Sequence, residues 1–178
     1  MATNKLTIGS LIPEFNLIGI DDKYHSNNNF NEREILVVVF GCNHCPYVQA
    51  NEQRLIEIQG DYKKDVQIIE INSNDDNGYP EDSFANMKIR AEEQGFNFPY
   101  LRDESQQTAR DFGATHTPEI FVFDKKRQLV YHGKIDDNWQ YPEQVKTKYL
   151  RNAIDETLAD DEVSIPETYS IGCTIKWK

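Results

Sequence analysis

Two cysteines two residues apart enclose a histidine and are followed at once by a proline: Cys42-Asn43-His44-Cys45-Pro46. On a helical turn, residues i and i+3 have Cβ atoms about 5–6 Å apart, and a disulfide accepts Cα separations of about 4.4–6.8 Å. These two sulfurs can therefore bond or part with small side-chain movements. A helix N-terminus, with its unpaired amides and positive dipole end, stabilises a thiolate, and Cys-x-x-Cys pairs so placed have one thiol pKa lowered to about 3.5–7. That makes Cys42, at the outer end, the expected nucleophile, exposed and acidified. Cys45, one turn deeper, is expected to attack the mixed disulfide and release the product. A protonated His44 would add positive charge beside the Cys42 sulfur and make the pair more oxidising, whereas a solvent-facing ring would have no electrostatic role. Pro46 marks the first helical turn, where a missing N–H costs little.

Other side chains are weighed beside this pair. Zinc usually takes four ligands, and no second Cys-x-x-Cys or His-x-x-x-His group accompanies the first, so metal binding stands as the competing use of Cys42, His44 and Cys45, for zinc or Cu(I). Cys173 lies in a tail whose Ile171, Ile175 and Trp177 imply packing against the domain. It either packs there or exchanges disulfides with Cys42 or Cys45 as a third thiol. Asp75, Asp76 and Asp82 lack the glycine and terminal glutamate of an EF-hand and read as a solvated loop. Glu119 reads as a surface residue, with proton transfer to a buried thiol as the alternative. His116 could line the same groove, and Trp139 and Tyr141 read as core or rim.

The chain that must position these groups has 178 residues, 38% apolar and 28% charged, enough for one domain with a real core, here taken as 1–178. Thirty acidic against nineteen basic residues leave a net charge of -11, which argues against nucleic acid or an anionic membrane surface as a partner. The longest apolar run, Ile35–Phe40, is far short of the ~20 residues of a membrane helix. Met1–Ser10 has neither a basic start nor a hydrophobic stretch, and the expectation is a soluble, cytoplasmic protein. Three cysteines are too few for a secreted disulfide scaffold.

Ile35–Phe40 reads as a central strand buried on both faces, ending just before the cysteine pair. A helix follows from Pro46 to about Gly60, then a strand over Val66–Ile71 and a polar loop over Asn72–Pro80. Next come a helix over Glu81–Gln94, a short strand over Phe98–Leu101 and a short helix over Ser105–Phe112. Glu119–Asp124 and Gln128–His132 form an antiparallel pair, and a last helix opens at Pro142 with Val145, Tyr149, Ile154 and Leu158 on one side. An N-terminal extension to about residue 31 holds a hairpin that turns at Asp21-Asp22-Lys23, and a tail begins at about Asp160. The whole is an α/β mixed sheet covered by helices on both faces.

In this context the chain resembles the thioredoxin superfamily, specifically its AhpC/TSA-like branch, which includes peroxiredoxins and the thioredoxin-like proteins of cytochrome maturation. The likeness spans roughly Ile8–Ala159. It rests on Gly9-Ser10-Leu11-Ile12-Pro13-Glu14-Phe15-Asn16-Leu17, the strand into Cys42–Cys45, Ile69-Glu70-Ile71-Asn72, and Ala109-Arg110-Asp111-Phe112-Gly113 ahead of Thr117-Pro118. The resemblance implies a thioredoxin fold with an N-terminal extension. It also implies a cis Pro118 facing the cysteines, which would turn the Thr117 backbone toward the sulfurs for an extended substrate to pair with. Peroxiredoxins carry a hydroxyl residue three before the reactive cysteine; Val39 stands there, which disfavours a dedicated peroxidase. The middle of the motif is Asn-His rather than Gly-Pro. The ending from Pro166 to Lys178 is similar to that of uncharacterised bacterial thioredoxin-like proteins.

The expected activity is thiol-disulfide exchange with protein or small-molecule disulfides and thiols, needing no organic cofactor or metal. Cys42 attacks, Cys45 resolves, His44 tunes, and Thr117-Pro118 positions the partner. A thiol peroxidase using Cys42 and a soft-metal binding module are the alternatives.

Overall fold

The computed structural model describes residues 5–178; the first four positions of the 1–178 domain reading lie outside the described residues. In chain order the strands are β1 (Asn16–Gly19), β2 (Tyr24–Ser26), β3 (Ile35–Gly41), β4 (Val66–Asn72), β5 (Tyr100–Arg102), β6 (His116–Thr117), β7 (Glu119–Phe123), β8 (Leu129–Gly133) and β9 (Cys173–Thr174). The helices are α1 (Pro46–Asp61), α2 (Phe84–Gln94), α3 (Gln107–Phe112) and α4 (Tyr149–Leu158). None of the described helices is long and apolar enough to cross a membrane.

Seven strands form one mixed sheet in the order β2-β1-β5-β4-β3-β7-β8. Every residue of β3 is buried. It runs parallel to β4 and antiparallel to β7, the two-faced burial that its run of β-branched residues suits. Alternation along β3 sorts the core. Ile35, Val37 and Val39 join Leu55 and Ile58 of α1 and Leu150 and Ile154 of α4 on one face. Leu36, Val38 and Phe40 meet Phe112 of α3, Phe15 and Phe30 of the N-terminal extension and Ile175 of the tail on the other. With each such side chain contributing roughly 1.5–3 kcal/mol when buried, this sandwich is what holds the end of β3 still. The β1–β2 hairpin attaches at β5, as an appendage to the sheet.

Several boundaries differ from the sequence reading. Helix α1 passes through Gly60 to Asp61 rather than stopping at it. Residues Pro80–Asp82 form a separate 3₁₀ turn, and α2 begins only after Ser83, whose side chain accepts the Asn86 N–H. The short strand lies over Tyr100–Arg102, starting two residues later and ending one later than expected. Pro142 starts a 3₁₀ turn and not the last helix. After it the chain stays extended because its backbone is spent on the segment following β8: Asp137 N–H donates to Thr147 O, and Leu150 N–H to Ile135 O.

Ser83 is therefore an N-cap that the sequence reading placed inside a helix. Ser83→Ala is expected to lower stability by about 1 kcal/mol, read as a shift of the denaturant midpoint with an unchanged slope.

Candidate redox site

Strand β3 ends at Gly41 and α1 begins at Pro46, so Cys42–Cys45 is the connection between the central strand and the first core helix. Cys45 is the N-cap of α1, and Pro46 fills the first helical position, where no amide partner is required. Asn43 pins the connection: its N–H donates to Asp82 Oδ1 (2.7 Å), its Nδ2 to Glu81 O (2.9 Å), and its Oδ1 accepts from the Tyr100 hydroxyl (2.8 Å). The Thr117–Pro118 peptide is cis. Thr117 O lies 3.3 Å from Cys45 Sγ, and Thr117 Oγ1 lies 3.7 Å from Cys42 Sγ. Cys42, Cys45, Thr117 and Pro118 thus converge as the sequence implied.

Two expectations about the thiols are corrected. Cys42 is not exposed: it is 1% accessible and Cys45 0%, because the tail returns and packs Cys173 against the pair. Nor is Cys42 the acidified thiol. A hydrogen bond to Cys45, burial and the nearby Asp82 charge all raise its pKa. Cys45 is lowered to about 4, first by the hydrogen bond from Cys42, then, against burial, by Cys173 and the Val48 amide. Cys173 is pushed up to about 11 by burial and by the neighbouring Cys45.

His44 leans over the loop, stacked on Tyr79 with ring centroids 5.6 Å apart, and its Nδ1 lies 2.6 Å from Asp82 Oδ2. The approach is out of line for a directed hydrogen bond. Asp82 is fully buried, which corrects its reading as a solvated residue: the Pro80–Asp82 turn aims it inward, where it takes the Asn43 amide and the Asn74 side chain. Donor atoms of Cys42, His44 and Asp82 lie within 4.8 Å of one another. This is a different trio from the Cys42, His44 and Cys45 of the metal alternative, and Asp82 is already committed to its own hydrogen bonds.

Glu119 is also buried, at 3% accessibility, not at the surface. Burial opposes its charge, yet the His132 hydrogen bond and the amides of Thr115 and His116 outweigh this and hold its carboxyl below the usual range. It anchors the turn before Pro118. His116 is half-buried in β6, and Trp139 packs on Tyr47 with centroids 4.2 Å apart, while Tyr141 is exposed.

Glu70 escaped the sequence reading. Its signal was a lone carboxylate in the apolar strand Val66–Asn72. It is 0% accessible, neither carboxyl oxygen has a hydrogen-bond partner, and it presses on Gly41 so closely that no Cβ would fit there. Burial, and then the Glu52 charge, drive its pKa well above the carboxylate range, so it sits as a neutral acid one residue from Cys42.

The edge of Thr117 expected to receive a substrate strand is occupied. Strand β9 pairs with β6 antiparallel, placing Cys173 opposite Thr117 and Thr174 opposite His116. Gly172 makes this possible, since a Cβ there would collide with the Thr117 carbonyl. Cys173 Sγ lies 2.9 Å from Cys45 Sγ.

The sheet, the cis-proline turn and the paired cysteines are those of a thioredoxin-fold protein. Residues 8–132 match the model of the AhpC/TSA family, and the chain belongs to that family. Among solved structures it is similar to an uncharacterized conserved protein from Geobacillus kaustophilus, at 38% identity and TM-score 0.92, covering 98% of this chain and 94% of that one. It is similar too to a hypothetical protein from Sinorhizobium meliloti 1021, at 34% identity and TM-score 0.92, covering 98% and 97%. A thiol:disulfide interchange protein of the thioredoxin family from Chlorobium tepidum TLS shares the fold, at 17% identity and TM-score 0.66, covering 86% and 99%. Comparison with curated proteins finds no match.

Two outcomes are expected. The ultraviolet thiolate absorption of the reduced protein should persist on acidification until about pH 4 and be lost from Cys45→Ser at neutral pH. Glu70→Gln removes a group that ionises freely only when unfolded. Its stability relative to the unaltered protein should therefore rise as pH climbs above about 4.3, the ordinary glutamate value, and chemical denaturation at several pH values measures this.

Proposed function

We propose that the protein is a thiol-disulfide oxidoreductase whose Cys42 and Cys45 alternate between dithiol and disulfide beside the Thr117–Pro118 turn. The observation that carries this reading is the packing of the two thiols together at the start of α1, with Cys45 Sγ 3.3 Å from Thr117 O and Cys42 Sγ 3.7 Å from Thr117 Oγ1. Cys42 attacks one sulfur of a partner disulfide. Its proton passes to the Cys45 thiolate or to the Asp82–His44 pair, and half of the partner leaves as a thiolate that takes up a proton. Cys45, ionised again, attacks Cys42 Sγ, closes the Cys42–Cys45 bond and expels the second half. Two electrons pass from the pair to the partner, and the reverse sequence oxidises a dithiol.

In this reading His44 and Asp82 tune the Cys42 sulfur, and Thr117-Pro118 orients the partner. An extended partner would pair with Thr117 only after β9 yields that edge, whereas a small disulfide needs less of it. A cytoplasmic setting, where thiols are kept reduced, suits a protein with only three cysteines.

The peroxidase alternative finds a hydroxyl near Cys42 at Thr117, but Val39 stands where peroxiredoxins carry the hydroxyl residue three before the reactive cysteine, which favours disulfide exchange. Reduction of a protein disulfide and of hydrogen peroxide by the same reduced enzyme separates the two. Disulfide reduction is expected to fall about a hundredfold or more in Cys42→Ser and in Cys45→Ser, with Cys45→Ser alone accumulating a mixed disulfide. Equal activity of all three proteins, or peroxide consumption that outpaces disulfide reduction, would overturn the assignment.

A further inference from the structure

Cys173 is held as firmly as a catalytic side chain. On its C-terminal side Ile175 is 3% accessible within the core, and its N–H donates to Thr115 O at 2.9 Å. Lys176 N–H donates to Asn74 Oδ1 (2.9 Å), while Lys176 O accepts from Asp75 N–H (2.7 Å) and Gln106 Nε2 (2.9 Å). On its N-terminal side Thr168 is tied to β8, its N–H donating to His132 O (3.0 Å) and its Oγ1 accepting from the Lys134 N–H (3.0 Å), while Tyr169 between the two anchors is 93% accessible. The tail is therefore anchored on both sides of Cys173. The anchored part lies on the Thr117 edge, in the position of an added strand, with its cysteine in register and its sulfur 2.9 Å from Cys45 Sγ.

We infer that Cys173 is a third redox thiol whose partner is Cys45, and that the tail acts as an internal substrate strand which moves the disulfide away from Cys42. This rests on the reading of Cys42 and Cys45 as a redox pair. Starting from the Cys42–Cys45 disulfide, the Cys173 thiolate attacks Cys45 Sγ. A Cys45–Cys173 bond forms as the Cys42–Cys45 bond breaks, the electron pair leaves on Cys42 Sγ, and the proton lost by Cys173 ends on Cys42. No electrons enter or leave: one disulfide is exchanged for another. The oxidised chain then carries the Cys42 thiol free.

Peptide mapping tests this, because trypsin separates residues 34–54, which hold Cys42 and Cys45, from residues 152–176, which hold Cys173. Full-length Cys42→Ser is equilibrated in buffers of reduced and oxidised glutathione, quenched in acid and alkylated. The expected result is loss of both free thiols with the two peptides linked, while Cys45→Ser under the same conditions takes up glutathione and shows no such link. In the unaltered protein, oxidised to one disulfide per chain, part of the population should carry its free thiol on Cys42. Two alkylatable thiols or only glutathione adducts in Cys42→Ser would overturn the inference, as would a free thiol found always on Cys173 in the unaltered protein. An inactive unaltered protein in which the Cys45–Cys173 bond still forms would bear out this bond and sink the preceding reading. An active one in which it never forms would do the reverse.

Discussion

A charged sulfur in an apolar interior is stable only where donors replace the water it has lost. Cys45 sits where such donors are available, at the N-cap of a helix whose first amides lack intrahelical partners, with Cys42 and Cys173 packed beside it. Much of the architecture serves to keep that arrangement in register. The β3 strand fixes the start of the loop, Pro46 fixes the start of the helix, and Asn43 ties the residues between them to Asp82 and Tyr100. The hydrophobic layers on both faces of β3 make each of these anchors stiff.

The acid groups around the site divide by what each one is given. Glu119 receives two amides and a histidine and remains charged although buried; Glu70 receives nothing and becomes neutral. Asp82, with an amide, a side-chain amide and His44 around it, stands close enough to Cys42 to disfavour a second negative sulfur. The same surroundings push the Cys42 thiol up and the Cys45 thiol down, the latter first through the hydrogen bond from Cys42.

Much of this was legible in the sequence. The β-branched run Ile35–Phe40, the Cys-x-x-Cys at its end and Pro46 carry short-range signals; the cis Thr117-Pro118 facing the cysteines was implied by the family resemblance, and the structure brings them together. The misplaced features depend on long-range contacts that no local pattern encodes. Pro142 looks like a helix start until the backbone of residues 134–137 claims its successors. Asp82 looks like loop solvent until the turn at Pro80 swings it inward. The burial of Cys42 is of the same kind, because it is imposed by a segment about 130 residues later in the chain, at Cys173. Glu70 was visible as an oddity in an apolar strand, but only the packing against Gly41 gives it a meaning.

The returning tail changes what an exposed Cys-x-x-Cys would mean. With the Thr117 edge open, any extended chain could add to it, and selectivity would rest on side chains alone. With β9 in place, a partner must displace a strand whose far end is locked by Ile175 and Lys176, or must reach Cys42 past it. Gly172 is the residue on which this balance turns, since its missing Cβ permits the close approach to Thr117. The same strand can therefore exclude unsuitable partners and keep a reactive sulfur 2.9 Å from Cys45, two roles that a single short pairing of two residues is sufficient to join.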